Sequence, residues 1–283
     1  MKIVEARATR SVAPTAAPKA KAEPAAVVAP KPAAAARLDP RMWWKGRPLS
    51  EGRNAHKTNT VEQMNEAMKS GNNWFECDLR REQNPPYDIE CRHDKGDERG
   101  DNLKLSEWLK IGVKSGRGLK LDIKESQYLP QILDELEKAK VPSERLMIPA
   151  VSRAIPEIRR RFPDAILTIG PGGQPVNGKL TDAQVDGMLK TVKKTGLPAA
   201  FIVRYDLLTD SAIKKLSAAA PVSVWNDPNL PGAENPQRVA TSLRVRGVNG
   251  VIDIRKSESL LEKAKNVLEK KEYVVEKRIK SLL

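Results

Sequence analysis

From residue 50 onward, short apolar runs with a period of two alternate with longer runs whose apolar positions recur every three to four residues. The first kind predicts strands over residues 53–56, 74–79, 119–124, 146–150, 165–169, 200–204, 222–226 and 250–254. The second predicts helices over 61–68, 103–113, 132–139, 155–161, 182–194, 211–219 and 237–245. Thr181-Asp182 and Thr209-Asp210 supply start signals, and Pro156 sits early in another helix. Strands separated by helices of this length form parallel sheets, and eight such units predict a closed α/β barrel, the (β/α)8 or TIM fold. A chain of 283 residues is long enough for one such barrel. One run breaks the alternation. Residues 88–93 follow Leu79 after a short connection without a helix, whereas a parallel crossover needs a dozen residues or more. This ninth strand is therefore predicted to be antiparallel, a hairpin annex that hangs His93 over the barrel mouth. A polar, glycine-containing loop follows near the site.

The same alternation sorts the charges. In residues 74–79, Phe75, Cys77 and Leu79 point one way, and Trp74, Glu76 and Asp78 the other. In residues 119–124, Leu119, Leu121 and Ile123 oppose Lys120, Asp122 and Lys124. The face covered by helices needs the apolar set, so the acids and lysines face the barrel interior or its mouth. Charges in such a place cost several kcal/mol each unless paired or bound to a metal. Two readings stand. Lys120 and Lys124 neutralise two of three acids in a buried network, or Glu76, Asp78 and Asp122 hold one hard divalent cation, Mg²⁺ or Ca²⁺. In the second reading Lys124 meets a phosphate oxygen as a point charge. The chain has only two histidines, His56 and His93, and each falls at a predicted mouth position. Two imidazoles flanking a phosphate are suited to acid–base catalysis near neutral pH.

Composition narrows the partner. The formal net charge of +14 favours an anionic substrate or surface. Aromatic content of 4% makes the core aliphatic. Cys77 and Cys91 leave a bridge open but do not make a disulfide framework. No apolar run is long enough to span a bilayer, so the expected location is cytoplasmic, or secreted if a leader has been removed. Residues 1–45, rich in Ala, Pro and Lys, read as a disordered tail, either a tether or a dispensable linker. Residues 46–256 form the barrel. Residues 257–283 read as an amphipathic helix packed on it, with membrane or partner contact the alternative.

The series Ala55-His56-Lys57, Glu76-Cys77-Asp78, Arg92-His93-Asp94 and Leu121-Asp122-Ile123-Lys124 resembles the glycerophosphodiester phosphodiesterase-like superfamily of barrels. That superfamily carries His-Arg, Glu-x-Asp, His-Asp and Glu-x-Lys in this order. Asp122-Ile123-Lys124 is closer to the sphingomyelinase D-type phospholipases. Other stretches, among them Phe201-Ile202-Val203-Arg204 and Val222-Ser223-Val224-Trp225, resemble the menorin-like branch. The resemblance covers roughly residues 50–256. It implies His56 and His93 as catalytic residues, Glu76, Asp78 and Asp122 as ligands of Mg²⁺ or Ca²⁺, and Lys124 and Trp225 as substrate contacts. Lys57, standing where the superfamily has arginine, and Arg204, at the end of a strand, complete the candidate substrate-binding set. For Arg204 a structural ion pair with Asp206 is an equal reading.

Three functions follow. The first is a metal-dependent phosphodiesterase acting on a glycerophosphodiester or (lyso)phospholipid, with peripheral membrane contact if the substrate is a lipid. The second is a catalytically inactive menorin-like barrel that binds anionic lipid or a protein. The third, nucleic-acid binding through basic tails, lacks a recognised module.

Overall fold

A computed structural model describes residues 42–43, 46–83, 85–95, 102–173, 178–227 and 235–256. The expected C-terminal helix lies outside them, as does the expected tail apart from its last residues. Of these, Met42–Trp43 (β1) pairs antiparallel with Arg47–Pro48 (β2). The polar loop after His93 is outside them too, except at its ends.

Eight strands then run parallel in chain order: β3 (Asn54–Ala55), β4 (Trp74–Arg81), β6 (Gly118–Ile123), β7 (Leu146–Pro149), β8 (Ile166–Ile169), β9 (Ala199–Arg204), β10 (Val222–Trp225) and β11 (Ile252–Asp253). Between β3 and β11, the two ends of this order, no backbone ladder forms among the described residues. The barrel is nearly closed, with a seam there. Among the described residues seven α-helices accompany the strands: α1 (Val61–Lys69), α2 (Leu105–Ser115), α3 (Leu129–Lys138), α4 (Ile155–Arg161), α5 (Asp182–Thr195), α6 (Asp210–Ser217) and α7 (Pro236–Val245). The expected antiparallel strand is β5 (Ile89–Cys91), which pairs with the end of β4 in the register Leu79↔Cys91 and Arg81↔Ile89.

Local sequence explains where the helices begin and end. Thr60 and Thr181 each accept a hydrogen bond from the third helical backbone N–H, and the side-chain oxygens of Gln63 and Gln184 accept one from the backbone N–H of the cap. These reciprocal caps satisfy donors that the first turn leaves open. Helix α2 ends at Gly116 with φ of 68°, a left-handed conformation that costs glycine little. The buried Arg145 guanidinium then donates to the carbonyls of Gly112 and Val113 in the last turn and of Arg117 just beyond it.

The alternation read from the sequence holds. Phe75, Cys77, Leu79, Leu119 and Leu121 pack outward against Leu105, Trp108 and Leu109 of α2. The opposite face splits by height. Near the amino ends of the strands Leu49, Trp74, Met147, Ile166, Ala200 and Val251 fill the interior. Gly118 leaves room for the Trp74 indole, since a Cβ there would collide with the ring. Polar side chains occupy the interior at the carboxyl ends.

Candidate functional site

A cavity of about 480 Å³ opens at the carboxyl ends of the strands. Of the residues expected in a site, His56, His93, Glu76, Asp122, Lys124, Trp225 and Lys57 line it. Asp78 lies beneath the lining, fully buried. Arg204 is outside the lining and is paired with Asp206 through Nε and a terminal nitrogen, at 2.6 and 3.0 Å. The expected ion pair of Arg204 with Asp206 is thus present.

Glu76 is the hub. Its Oε2 accepts from Asn54 Nδ2 at 2.6 Å and from Lys120 Nζ at 3.0 Å, and lies 3.0 Å from His56 Nδ1. Burial would push the carboxyl up, but Lys120 and His56 outweigh it and hold Glu76 well below the ordinary carboxylate range. Lys120 is the mirror case. Burial alone would lower the ammonium, but Glu76 and Asp253 raise it, so both members of the pair stay charged.

Asp253, at the end of β11, enters the same group. Its Oδ2 accepts from Asn54 Nδ2 at 2.9 Å and lies 3.8 Å from His56 Nδ1. His56, Glu76 and Asp253 offer donor atoms within 4.8 Å of one another, the group among the described residues able to hold a metal ion. Two carboxylates and an imidazole suit a divalent cation of borderline hardness. The two carboxylates by themselves suit a hard cation such as Mg²⁺ or Ca²⁺. The residues present therefore fit such an ion.

Asp78 and Asp122, the other expected ligands, are drawn into a different contact. Lys124 Nζ lies 2.6 Å from Asp122 Oδ2 and 2.7 Å from Asp78 Oδ1. The Asp122 contact is an aligned hydrogen bond. The Asp78 contact is an ion pair without that alignment, which leaves Oδ1 with no hydrogen bond of good angle. Asn59 supplies the rest: its Nδ2 donates to Asp78 Oδ2 and its Oδ1 accepts from the Asp78 backbone N–H. Despite partial burial, the two aspartates raise the Lys124 ammonium above its ordinary value.

Each imidazole meets a carboxylate through Nδ1. His93 Nδ1 lies 2.8 Å from Asp94 Oδ1, and His56 Nδ1 lies 3.0 Å from Glu76 Oε2. With Nδ1–H donating, the tautomer that these contacts assign leaves Nε2 as the lone-pair nitrogen. Backbone strain contributes to this placement. Lys57 has φ of 56°, in the left-handed region that β- and α-forming residues avoid. It is held there because the next residue, Thr58, donates from both its N–H and its Oγ1 to the Glu76 carbonyl. Trp108 Nε1 in turn donates to Thr58 Oγ1.

The cysteines take no part. Both are buried free thiols, and burial beside Cys91 pushes Cys77 well above its ordinary pKa. They pack rather than react. Among residues the sequence reading passed over, Asp253 and Asn54 matter most. Asp253 shares the inward face of β11 with Val251, a polar position after an apolar one on a barrel strand, and that placement was its signal.

No family model matches the chain, and no curated protein matches it. Solved structures do. A candidate glycerophosphoryl diester phosphodiesterase from Agrobacterium tumefaciens superposes with a TM-score of 0.52 at 12% identity, over 74% of this chain and 92% of that one. A glycerophosphodiester phosphodiesterase from the same organism superposes with a TM-score of 0.50 at 11% identity, over 73% and 95%. The chain shares the α/β barrel fold of these structures. In that fold the open ends of the strands are where side chains from several strands converge, and the cavity lies there.

Proposed function

We propose that the protein is a divalent-metal-dependent phosphodiesterase acting on a glycerophosphodiester or a (lyso)phospholipid. The observation that carries this reading is the pair of imidazoles on one 480 Å³ cavity, each bonded at Nδ1 to a carboxylate. One of His56 and His93 takes a proton from the attacking hydroxyl through Nε2, and the other gives one to the leaving oxygen. Whether water or an internal hydroxyl attacks decides between hydrolysis and cyclisation. Glu76 and Asp253 would hold Mg²⁺ or Ca²⁺, Asp122 faces the same space, and His56 Nδ1–H stays on Glu76. When bound, the cation supplies positive charge against the phosphoryl oxygens. Charge balance supports the need for it. The lining holds four carboxylates (Glu76, Asp122, Asp227, Asp253) and four fixed cations (Lys57, Lys120, Lys124, Arg255), so these side chains balance and a cation would add positive charge at the point where the phosphate sits. Lys124 and Lys57 would contact the phosphate, and Trp225 would lie against the esterified alcohol. A lipid substrate would bring the mouth against a membrane surface.

The test is a panel of glycerophosphodiesters and lysophospholipids assayed with Mg²⁺, with EDTA, and with His56→Ala and His93→Ala. Chelation should abolish turnover, and each substitution should lower it by roughly 10²–10⁴. Turnover untouched by all three would exclude the proposal.

A second reading has its own observation. Lys120 already neutralises Glu76, and Lys124 already bridges Asp78 and Asp122. A menorin-like barrel that binds an anionic lipid or a protein without turning it over needs no cation. Calorimetry showing neither heat nor a thermal shift with Mg²⁺ or Ca²⁺ would favour it.

A further inference from the structure

We infer that Asn54 is a positioning residue: its side-chain amide spans the seam of the barrel and sets the distance between Glu76 and Asp253. The geometry is specific. Strand β3 is held by a backbone ladder on one side only, through Asn54↔Trp74 and Ala55↔Phe75 of β4. On the side of β11 no ladder forms among the described residues. The Asn54 amide hydrogen-bonds across the seam inside the barrel, donating to Glu76 Oε2 on β4 at 2.6 Å and to Asp253 Oδ2 on β11 at 2.9 Å. An amide nitrogen carries two hydrogens, and both are spent on carboxylates from opposite sides of the seam. The orientation of the amide is fixed by this, because a flipped group would turn its oxygen on two anions. The other end, Oδ1, is buried without a partner, so the amide is held from the nitrogen alone.

His56 stands two residues along the same strand and reaches the same two carboxylates, at 3.0 and 3.8 Å. Strand β3 therefore presents a neutral double donor below and an imidazole above to one acidic pair. Lys120, the remaining close cation, bonds Glu76. Without the amide, Asp253 loses its hydrogen bond to β3 and is free to drift from Glu76 under like-charge repulsion. Groups that orient metal ligands from behind change affinity by about 10–100-fold when removed. The positioning role rests on the hydrogen-bond geometry. Its effect on cation affinity rests on the proposed function.

The full chain, Asn54→Ala and Asn54→Asp are compared by thermal melting in EDTA and by calorimetric titration with Mg²⁺ and Ca²⁺. Asn54→Asp replaces the double donor by a third carboxylate, so in EDTA it should melt below Asn54→Ala, and added cation should raise its melting point by more than that of the wild type. Asn54→Ala should bind the cation roughly 10–100-fold more weakly than the wild type. If Asn54→Ala does not fold, Asn54→Ser, which keeps one donor, takes its place in both comparisons. Equal or higher melting of Asn54→Asp in EDTA overturns the inference, as does cation binding by Asn54→Ala within twofold of the wild type. If the wild type binds no cation, the proposed function loses its metal, and the order of melting points alone decides the role of Asn54.

Discussion

Lys124→Met removes an ammonium and keeps most of the aliphatic stem. Asp78, whose side chain is 0% exposed, then keeps Asn59 on one oxygen and has no charged partner on the other. Breaking a buried pair by deleting one member costs about 3–5 kcal/mol, because the stranded charge stays desolvated. The retained Asn59 bond places the expected loss near the lower end, about 3 kcal/mol. Asp122, at 40% exposure, is screened by solvent and adds less than about 1 kcal/mol. Urea unfolding at pH 7 reads this directly. With a slope of about 2–3 kcal/mol per molar, the midpoint should fall by roughly 1–1.5 M while the slope is unchanged. Asp78→Asn combined with Lys124→Met should regain most of the loss, since the pair is then removed as a unit. A single-variant loss under about 1 kcal/mol, or a double variant no better than the single, would refute the view that this lysine is a structural counter-ion. Cation-dependent stabilisation gained by Lys124→Met would instead mark Asp78 and Asp122 as ligands uncovered by its removal.

Glu76 predicts an acid limb. A carboxyl held below its ordinary value, near 4.5, contributes stability that is fully present above that pH and lost as pH falls toward the folded value. Stability measured by urea midpoint should decline below about pH 4.5, and Glu76→Gln should flatten that part of the curve. Arg145→Met takes a donor from the carbonyls of Gly112, Val113 and Arg117, of which the first two keep Ser115 Oγ and the Gly116 N–H, and should cost about 1–3 kcal/mol, measured the same way. Gly118→Ala puts a methyl against the Trp74 indole and should cost about 1–3 kcal/mol with a change in tryptophan emission; an unchanged spectrum and midpoint would show that the ring moves freely. Asp94→Asn should lower turnover with little change in KM, because it weakens the contact that orients His93.

The barrel was legible because its signal is carried by apolar side chains at fixed periods. Alternation in residues 74–79 and 119–124 placed Glu76, Asp78, Lys120 and Asp122 on the inner side, and the short link after β4 gave the direction of β5. The grouping of the acids was not legible. Glu76 and Asp78 are two residues apart on one strand, yet Glu76 turns to Asn54 and His56 at β3 and to Lys120 while Asp78 turns to Asn59 and Lys124. Sequence order says nothing about which neighbour a given height on a barrel strand will face. Asp253 was hidden for the same reason, since it lies 199 residues from Asn54 and meets it only when the first and last strands come together. The β1–β2 pair was missed because two-residue strands are too short to show a period.

The apolar plug of Leu49, Trp74, Met147 and Val251 has a kinetic consequence. It makes the barrel a cup rather than a pipe, with one rim through which everything passes. Whatever enters must leave by the route it came, so a spent molecule and its successor cannot share the passage. His93, on the annex at that rim, stands beside the traffic in both directions.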